Sequence, residues 1–227
     1  MEVKNNFILS LETATEVCSV AISKSGVCIA EKNVNEINSH GSALTVLIED
    51  ILKENNIQIS DLSAVAYSSG PGSYTGLRIG LSVTKGICFG SNLPLIAITT
   101  LEHMASNFPN EYCFPMIDAR RMEVYGALLK NGNFVVEPFA CIVDGYNWDA
   151  LLADKNIFFI GNGATKSKPV LQKFPNAVFA DDYRISAKSL SEMAYIKFTK
   201  GEFENLAYHV PFYLKEANIT VAKKRIL

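Results

Sequence analysis

The chain has little with which to staple itself, cross a membrane or hold a strong field. Its 227 residues contain five cysteines, three histidines and one tryptophan. No apolar run approaches the ~20 residues of a membrane span. The opening stretch, MEVKNNFILSLETATEVC, has too short an apolar core and no small-residue cleavage site for a signal peptide. These absences lead us to expect a soluble, cytoplasmic protein with no membrane partner. Lys and Arg number 21 against 23 Asp and Glu, for a net charge of −2. That balance excludes a strongly basic nucleic-acid binder, which needs clustered cations to neutralise phosphates, and it equally excludes an acidic disordered chain. Basic residues are scattered and gather only at Lys223-Lys224-Arg225, where a solvated end is the plain reading. The cysteines (Cys18, Cys28, Cys88, Cys113, Cys141) are odd in number, form no C-x-x-C and sit mostly in apolar runs, as buried free thiols do. Asn218-Ile219-Thr220 is formally a glycosylation sequon, without meaning in the absence of a secretory signal.

What the chain does have is a core. Apolar residues make up 48%, and a chain of this length buries roughly 70% of its unfolded surface without a disulfide or metal. The first third reads as a three-stranded meander (residues 7–11, 18–23 and 27–34, with a Lys24-Ser25-Gly26 turn), a helix, a strand, a helix and a strand. The first helix, residues 42–55, carries Leu44, Leu47, Ile48, Ile51 and Leu52 at helical spacing. The second, residues 74–89, contains Gly76, Gly80 and Gly86, each costing about 1 kcal/mol against Ala unless something approaches the backbone closely. The second half begins in similar order: a strand at 114–117, a hairpin of 122–130 with 134–137 around Asn131-Gly132, and an extension at 141–143. A short helix at 148–153, a strand at 157–160 entering Gly161-Asn162-Gly163, and a helix at 185–198 follow. Two successive meander-plus-helix units predict a duplicated α/β architecture. The break at Phe108-Pro109-Asn110 divides it into residues 1–108 and 109–227, with the terminal helix free to pack back on the first unit.

The segment richest in possible chemistry is SSGPGSYTGLRIGLSVTKGICFG, residues 68–90. A Gly-Pro-Gly loop between a buried strand and a helix start can offer backbone N–H groups to an anion. The same glycines equally suit tight packing of a helix on a sheet. The segment is neither a P-loop nor a dinucleotide fingerprint, and Pro71 and Thr75 around Ser73 exclude a nucleophile elbow.

The run GPGSYTGLRIGLSVTKGI closely resembles the signature of the TsaB (YeaZ) family, grouped with TsaD under an old glycoprotease-like label. ILSLETATEVCSVAI (8–22), HGSALTVLIEDIL (40–52) and IDARRMEVYGALL (117–129) are similar to three further stretches of that family, and PFYLKEAN (211–218) is a weaker C-terminal echo. The resemblance implies an actin/hexokinase-like ATPase fold, with two similar subdomains facing a cleft. It also implies a part in making N6-threonylcarbamoyladenosine at position 37 of tRNA. In that pathway TsaD transfers the threonylcarbamoyl group, TsaB is its dimerisation partner, and a small ATPase, TsaE, joins them.

Within PLIAITTLEHMA, residues 94–105, the catalytic relatives carry His-x-x-x-His, two metal ligands one helical turn apart. The aligned positions here are Thr100 and Met104, and His103 is displaced by one residue, ~100° around a helix. The resemblance thus implies a chain without the metal-dependent transfer site and without a cofactor of its own. It implies a TsaD-like heterodimer partner, a TsaE-like ATPase, a homodimer when alone, and tRNA contact only through the complex. Remnants of a nucleotide site are expected at Glu12, Thr13, Gly70, Gly72, Asp118, Gly161 and Gly163, where Arg120 stands close to Asp118 in place of an expected glycine. The interface is expected on the two N-terminal helices, at Leu44, Leu47, Ile48, Ile51, Tyr74, Gly76, Leu77, Gly80 and Leu81. Packing of both helices on their own sheet is the competing reading of those positions. The alternative function is an enzyme in its own right, an ATP-dependent transferase or a glycoprotease-like metallopeptidase. Against the peptidase, H-E-x-x-H and a serine elbow are both missing.

Overall fold

The structure, a computed structural model, describes residues 6–35 and 40–215. The sequon, the basic cluster and the end of the C-terminal echo lie outside the described residues. The first unit contains β1 (Phe7–Glu12), β2 (Val17–Lys24), β3 (Val27–Asn35), α1 (His40–Glu54), β4 (Leu62–Ser68), α2 (Tyr74–Ser91) and β5 (Leu95–Ile98). After α3 (Thr100–Ala105) come β6 (Tyr112–Asp118), β7 (Glu123–Lys130), β8 (Asn133–Ile142), α4 (Trp148–Leu152), β9 (Ile157–Ile160), α5 (Asn162–Leu171), β10 (Ala177–Phe179) and α6 (Ser191–Lys200). The two sheets run β3-β2-β1-β4-β5 and β8-β7-β6-β9-β10. In each, an antiparallel meander adjoins parallel strands in the same order. The expected duplication is therefore present strand for strand.

Both hairpin turns are two-residue turns with both central residues in the left-handed region, Ser25-Gly26 (φ 49° and 85°) and Asn131-Gly132 (φ 52° and 73°). That backbone matches the right-handed twist of the strands it joins. β8 runs unbroken where two shorter strands are expected, with Pro138 on a sheet edge that needs no ladder donor there. The expected helix at 185–198 is divided between a 3₁₀ turn, Ala187–Leu190, and α6.

The first sheet is covered on both faces. α1 and α2 lie over Leu9, Leu11, Val20, Val65 and Tyr67. The 3₁₀ turn and α6 lie over Ile8, Ala21, Ala64, Ala66 and Ile96, so the C-terminal segment does return to the first sheet. Ile196 on α6 points away from that core and stands exposed. An apolar joint connects the two units, with Val17 packed beside Leu101, Met104, Ile117, Ile160 and Ile185.

α2 approaches the β1–β2 turn so closely that only glycine fits its inner face. A Cβ on Gly72 would sit 2.4 Å from the Ala14 carbonyl oxygen, on Gly76 2.0 Å from the Thr13 carbonyl oxygen, and on Gly80 2.4 Å from Thr13 Oγ1. The Thr13 hydroxyl donates to the Gly76 carbonyl at 2.8 Å. Ser73 caps the helix by accepting from Gly76 N–H at 3.2 Å.

Two outcomes follow from this packing. Gly72→Ala forces backbone apart and is expected to cost about 1–3 kcal/mol in a denaturant melt, with or without added nucleotide. Burial pushes the Cys18, Cys88 and Cys141 thiols up to about 11 from an ordinary 9.0, with Glu12 adding to the effect at Cys18 and Glu123 at Cys141. Above pH 9 these thiols ionise in the unfolded chain but not in the folded one. Their contribution is therefore complete below pH 9 and drains away towards pH 11. Urea midpoints on either side of that window check this, and a thiol reagent applied to native protein should reach only the half-buried Cys28.

Candidate functional site

The carboxyl ends of β1, β4 and β6 converge on a cleft of about 720 Å³ between the two units. One wall is the β1–β2 turn (residues 14–16) with the start of α2 (residues 71–76 and Ile79). The other is formed by residues 117–120, Glu123, Tyr125 and Asn162, and residues 212–215 lie at its mouth. The site residues expected from sequence distribute unevenly around this space.

Glu12 ends β1 but does not line the cleft; its side chain is fully buried. Its Oε1 accepts from the Ala14 N–H at 2.5 Å. Its Oε2 lies 2.7 Å from His103 Nε2. His103 is fully buried as well, with Ser68 Oγ 3.2 Å from Nε2 and Ser189 Oγ 2.7 Å from Nδ1. Thr100 Oγ1 lies 2.8 Å from Ser68 Oγ and accepts from Gly70 N–H at 3.1 Å. Met104 is core, its methyl group under Gly161. The two positions aligned with metal ligands are thus spent on packing and hydrogen bonds, and the displaced histidine is the partner of Glu12. No spacing signal in the sequence joins residues 12, 68, 103 and 189. Among the described residues no three His, Cys, Asp or Glu side chains converge as metal ligands.

Thr13 is buried against α2. Gly72 lines the cleft, whereas Gly70 (φ 118°) is packed under the chain's own backbone, where a Cβ would stand 2.3 Å from the Phe212 carbonyl oxygen. Gly161 (φ 90°) and Gly163 are cut to fit Met116, whose carbonyl oxygen would be 2.5 Å and 2.9 Å from their added Cβ atoms. Asp118 does stand in the cleft. Its Oδ1 accepts from the Arg120 N–H at 2.7 Å and pairs with the Lys166 ammonium, while its N–H donates to Asn162 Oδ1 at 2.9 Å. Arg120 and Arg121 turn there with φ 70° and 50°, a left-handed pair more often built from Asn and Gly. The carboxylates expected to work together are therefore separated, one sealed behind the turn and one neutralised on the opposite wall.

The expected interface positions need correcting. Leu44, Leu47, Ile48, Ile51, Gly76, Leu77, Gly80 and Leu81 are all buried within the first unit. The wide apolar arc of α1 is absorbed by its own sheet and by α2. Tyr74 alone is exposed among them, with Arg78 stacked 4.0 Å over its ring. The outward face of these helices consists instead of Val46, Glu49 and Lys53 on α1, and Thr75, Arg78, Ser82, Gly86, Phe89 and Gly90 on α2. Nothing lies within 4 Å of a Cβ built on Gly86 or Gly90. His209 lies 2.7 Å from Tyr67 OH and 3.0 Å from Glu204 Oε2. Burial lowers its pKa below the ordinary 6.5 against an opposing pull from Glu204.

The family described as TsaD: tRNA N6-adenosine threonylcarbamoyltransferase matches residues 34–222, which begin at the end of β3 and take in β4, β5 and the second sheet. The Escherichia coli K12 protein named tRNA threonylcarbamoyladenosine biosynthesis protein TsaB is 37% identical over 124 residues, covering 53% of this chain and 53% of that protein. The chain thus spans about half the length of that relative. The crystal structure of YeaZ from Pseudomonas aeruginosa superposes with a TM-score of 0.77 at 26% identity, over 92% of this chain and all of that one. The activator of the 2-hydroxyisocaproyl-CoA dehydratase from Clostridium difficile, solved with bound ADPNP, matches at a TM-score of 0.51 and 10% identity, over 88% of this chain and 98% of that one. That likeness shows the fold alone, the actin/hexokinase-like ATPase fold. With the TsaD family matched over residues 34–222 and the YeaZ architecture shared along 92% of this chain, the chain belongs to the TsaB (YeaZ) branch of that family.

Proposed function

We propose that the chain serves tRNA threonylcarbamoyladenosine biosynthesis as a non-catalytic subunit, docking on and supporting a TsaD-like catalytic subunit in the cytoplasm. The observation that carries this reading is the fate of Glu12. A group that is to hold a metal–nucleotide complex or move a proton must face the substrate. Glu12 faces His103 inside the core, and Asp118 is bound to Lys166. Transfer chemistry at position 37 of tRNA is then the partner's work. tRNA meets this chain only within the complex, and a TsaE-like ATPase joins the same assembly.

The outer face of α1 and α2 is the docking surface in this proposal. α2 carries two sets of glycines with different uses. Gly76 and Gly80, together with Gly72 in the loop before the helix, serve internal packing. Gly86 and Gly90 have no internal neighbour to accommodate, yet glycine in an exposed helix interior costs about 1 kcal/mol against Ala. Close approach of another helix is the use that offsets this cost. With Ser82 and Phe89 beside them, they form a face of small residues with one large apolar anchor. An isologous homodimer through the same patch is expected when the catalytic partner is absent.

Gly86→Ala should stabilise the isolated chain by about 1 kcal/mol and weaken capture of the TsaD-like protein. Gly86→Arg should abolish capture and tRNA modification with circular dichroism unchanged. A folded Gly86→Arg chain that binds at wild-type affinity would place the interface elsewhere. Leu47 is turned inward, so a charge there reports folding instead of docking. The catalytic question is settled by reconstitution. The TsaD-like protein should modify tRNA only with this chain added, and this chain alone should bind no stoichiometric transition metal and hydrolyse neither ATP nor a glycoprotein. Micromolar zinc or iron binding lost on mutation of His103, or nucleotide turnover by the purified chain, would support the enzymatic alternative.

A further inference from the structure

Residues 201–215, the described part of the chain after α6, have almost no regular structure, yet they are tied down at several points. An isolated antiparallel bridge joins Glu204 to Leu95, with the Glu204 N–H donating to the Leu95 carbonyl at 2.9 Å. Lys85 donates to the Ala207 carbonyl at 3.2 Å, and His209 is held between Tyr67 and Glu204. The Phe212 N–H then donates to the Ser69 carbonyl at 2.7 Å. Up to this point every contact is with the first unit. Beyond it the chain crosses the mouth of the cleft. The Tyr213 ring packs against Tyr74 at 5.1 Å, its hydroxyl accepts from Arg78 Nε at 3.3 Å, and the Lys215 ammonium reaches Glu123 on β7, the opposite lip. The first glycine of the Gly-Pro-Gly loop is shaped for this course, since any side chain on Gly70 would collide with the Phe212 carbonyl.

A second contact spans the same gap. Asn162 Nδ2 on α5 donates to Glu16 Oε2 of the β1–β2 turn at 2.7 Å. Both bridges lie at the rim, where a surface ion pair such as Lys215–Glu123 is weak and screened by salt. The joint deeper in the molecule is apolar and non-directional. An apolar hinge spanned by weak polar ties at its rim is an arrangement that opens when the ties are cut.

We propose that residues 212–215 are a built-in clasp: together with the Glu16–Asn162 bridge they hold the two units closed over the cleft in the isolated chain, and their release opens it. The clasp sits where an exogenous ligand would otherwise have to span the two walls, so closure here needs no small molecule.

Spin labels on Thr75→Cys and Arg121→Cys, both at exposed rim positions and in a Cys28→Ser background, read the width of the mouth by pulsed dipolar spectroscopy. The expected result is a single narrow distance distribution at low salt. Lys215→Glu combined with Glu16→Ala should add a population at longer distance, as should high salt on the otherwise unaltered labelled chain. Circular dichroism should stay the same throughout. Adding Glu123→Lys to the Lys215→Glu variant restores the pair with reversed charges and should return the distribution to its narrow form. An unchanged distribution in the Lys215→Glu, Glu16→Ala chain would overturn the proposal. So would an opened chain that the charge swap fails to close, because the effect would then not come from the pairing. The readout is taken on the chain alone, so it stands apart from whether the TsaD-like partner binds.

Discussion

A carboxylate removed from water is the constraint around which the centre of the molecule is arranged. Glu12 is fully buried, and a buried polar group is costly unless polar contacts replace the water it has lost. Compensation comes from four separate segments. The turn after β1 supplies the Ala14 N–H, α3 supplies His103, and the end of β4 and the 3₁₀ turn before α6 orient that imidazole through Ser68 and Ser189. Removing any one of these segments leaves a polar group stranded. The first sheet, α3 and the returning C-terminal segment are thereby required to assemble together. The same arrangement withdraws from the cleft the residue that sequence reasoning puts there.

α2 shows how one residue type serves opposite ends on the two sides of one helix. On the inner side, glycines at 72, 76 and 80 let the helix backbone touch the Thr13–Ala14 turn, an approach that any Cβ would block. On the outer side, Gly86 and Gly90 leave a shallow surface that nothing among the described residues fills. A glycine's role is set by what stands opposite its missing Cβ, and that is a property of the tertiary neighbour. The Gly-Pro-Gly loop follows the same logic. Its close backbone approaches are to residues 14 and 212 of the chain itself, so a motif that could cradle a phosphate is fitted to protein.

The two units repeat one sheet plan but differ in what surrounds it. The first is enclosed by helices on both faces. The second leaves β8 as an edge with Pro138 in it, and gathers Phe114, Trp148 and Phe159 into an aromatic core. Between them, the cleft keeps polar walls on which three acidic side chains already have partners: Asp118 and Glu123 are ion-paired to Lys166 and Lys215, and Glu16 accepts from Asn162. Paired walls at a solvated rim make a site suited to opening and closing more than to chemistry.

What the sequence by itself determined is local or periodic. Asn131-Gly132 and Ser25-Gly26 specify their hairpins because few residue pairs accept two successive left-handed conformations. Apolar alternation gives the meanders, their repetition gives the duplicated plan, and the long glycine-bearing run around α2 carries the family resemblance. α5 escapes this reading because its first turns are Asn, Thr, Lys and Ser with Pro169 inside, so no apolar period marks it. Only the tertiary structure decided which side of α1 is the inside, since an arc as wide as Leu44 to Leu52 is compatible with both a sheet and a partner. It alone joined residues 12, 68, 103 and 189, because a buried polar cluster depends on distance in space and leaves no spacing in the chain. It alone showed that Phe212 lies on Gly70. Long-range contacts of this kind are settled by which packing buries the charge and excludes water, a balance summed over the whole fold that no local pattern encodes.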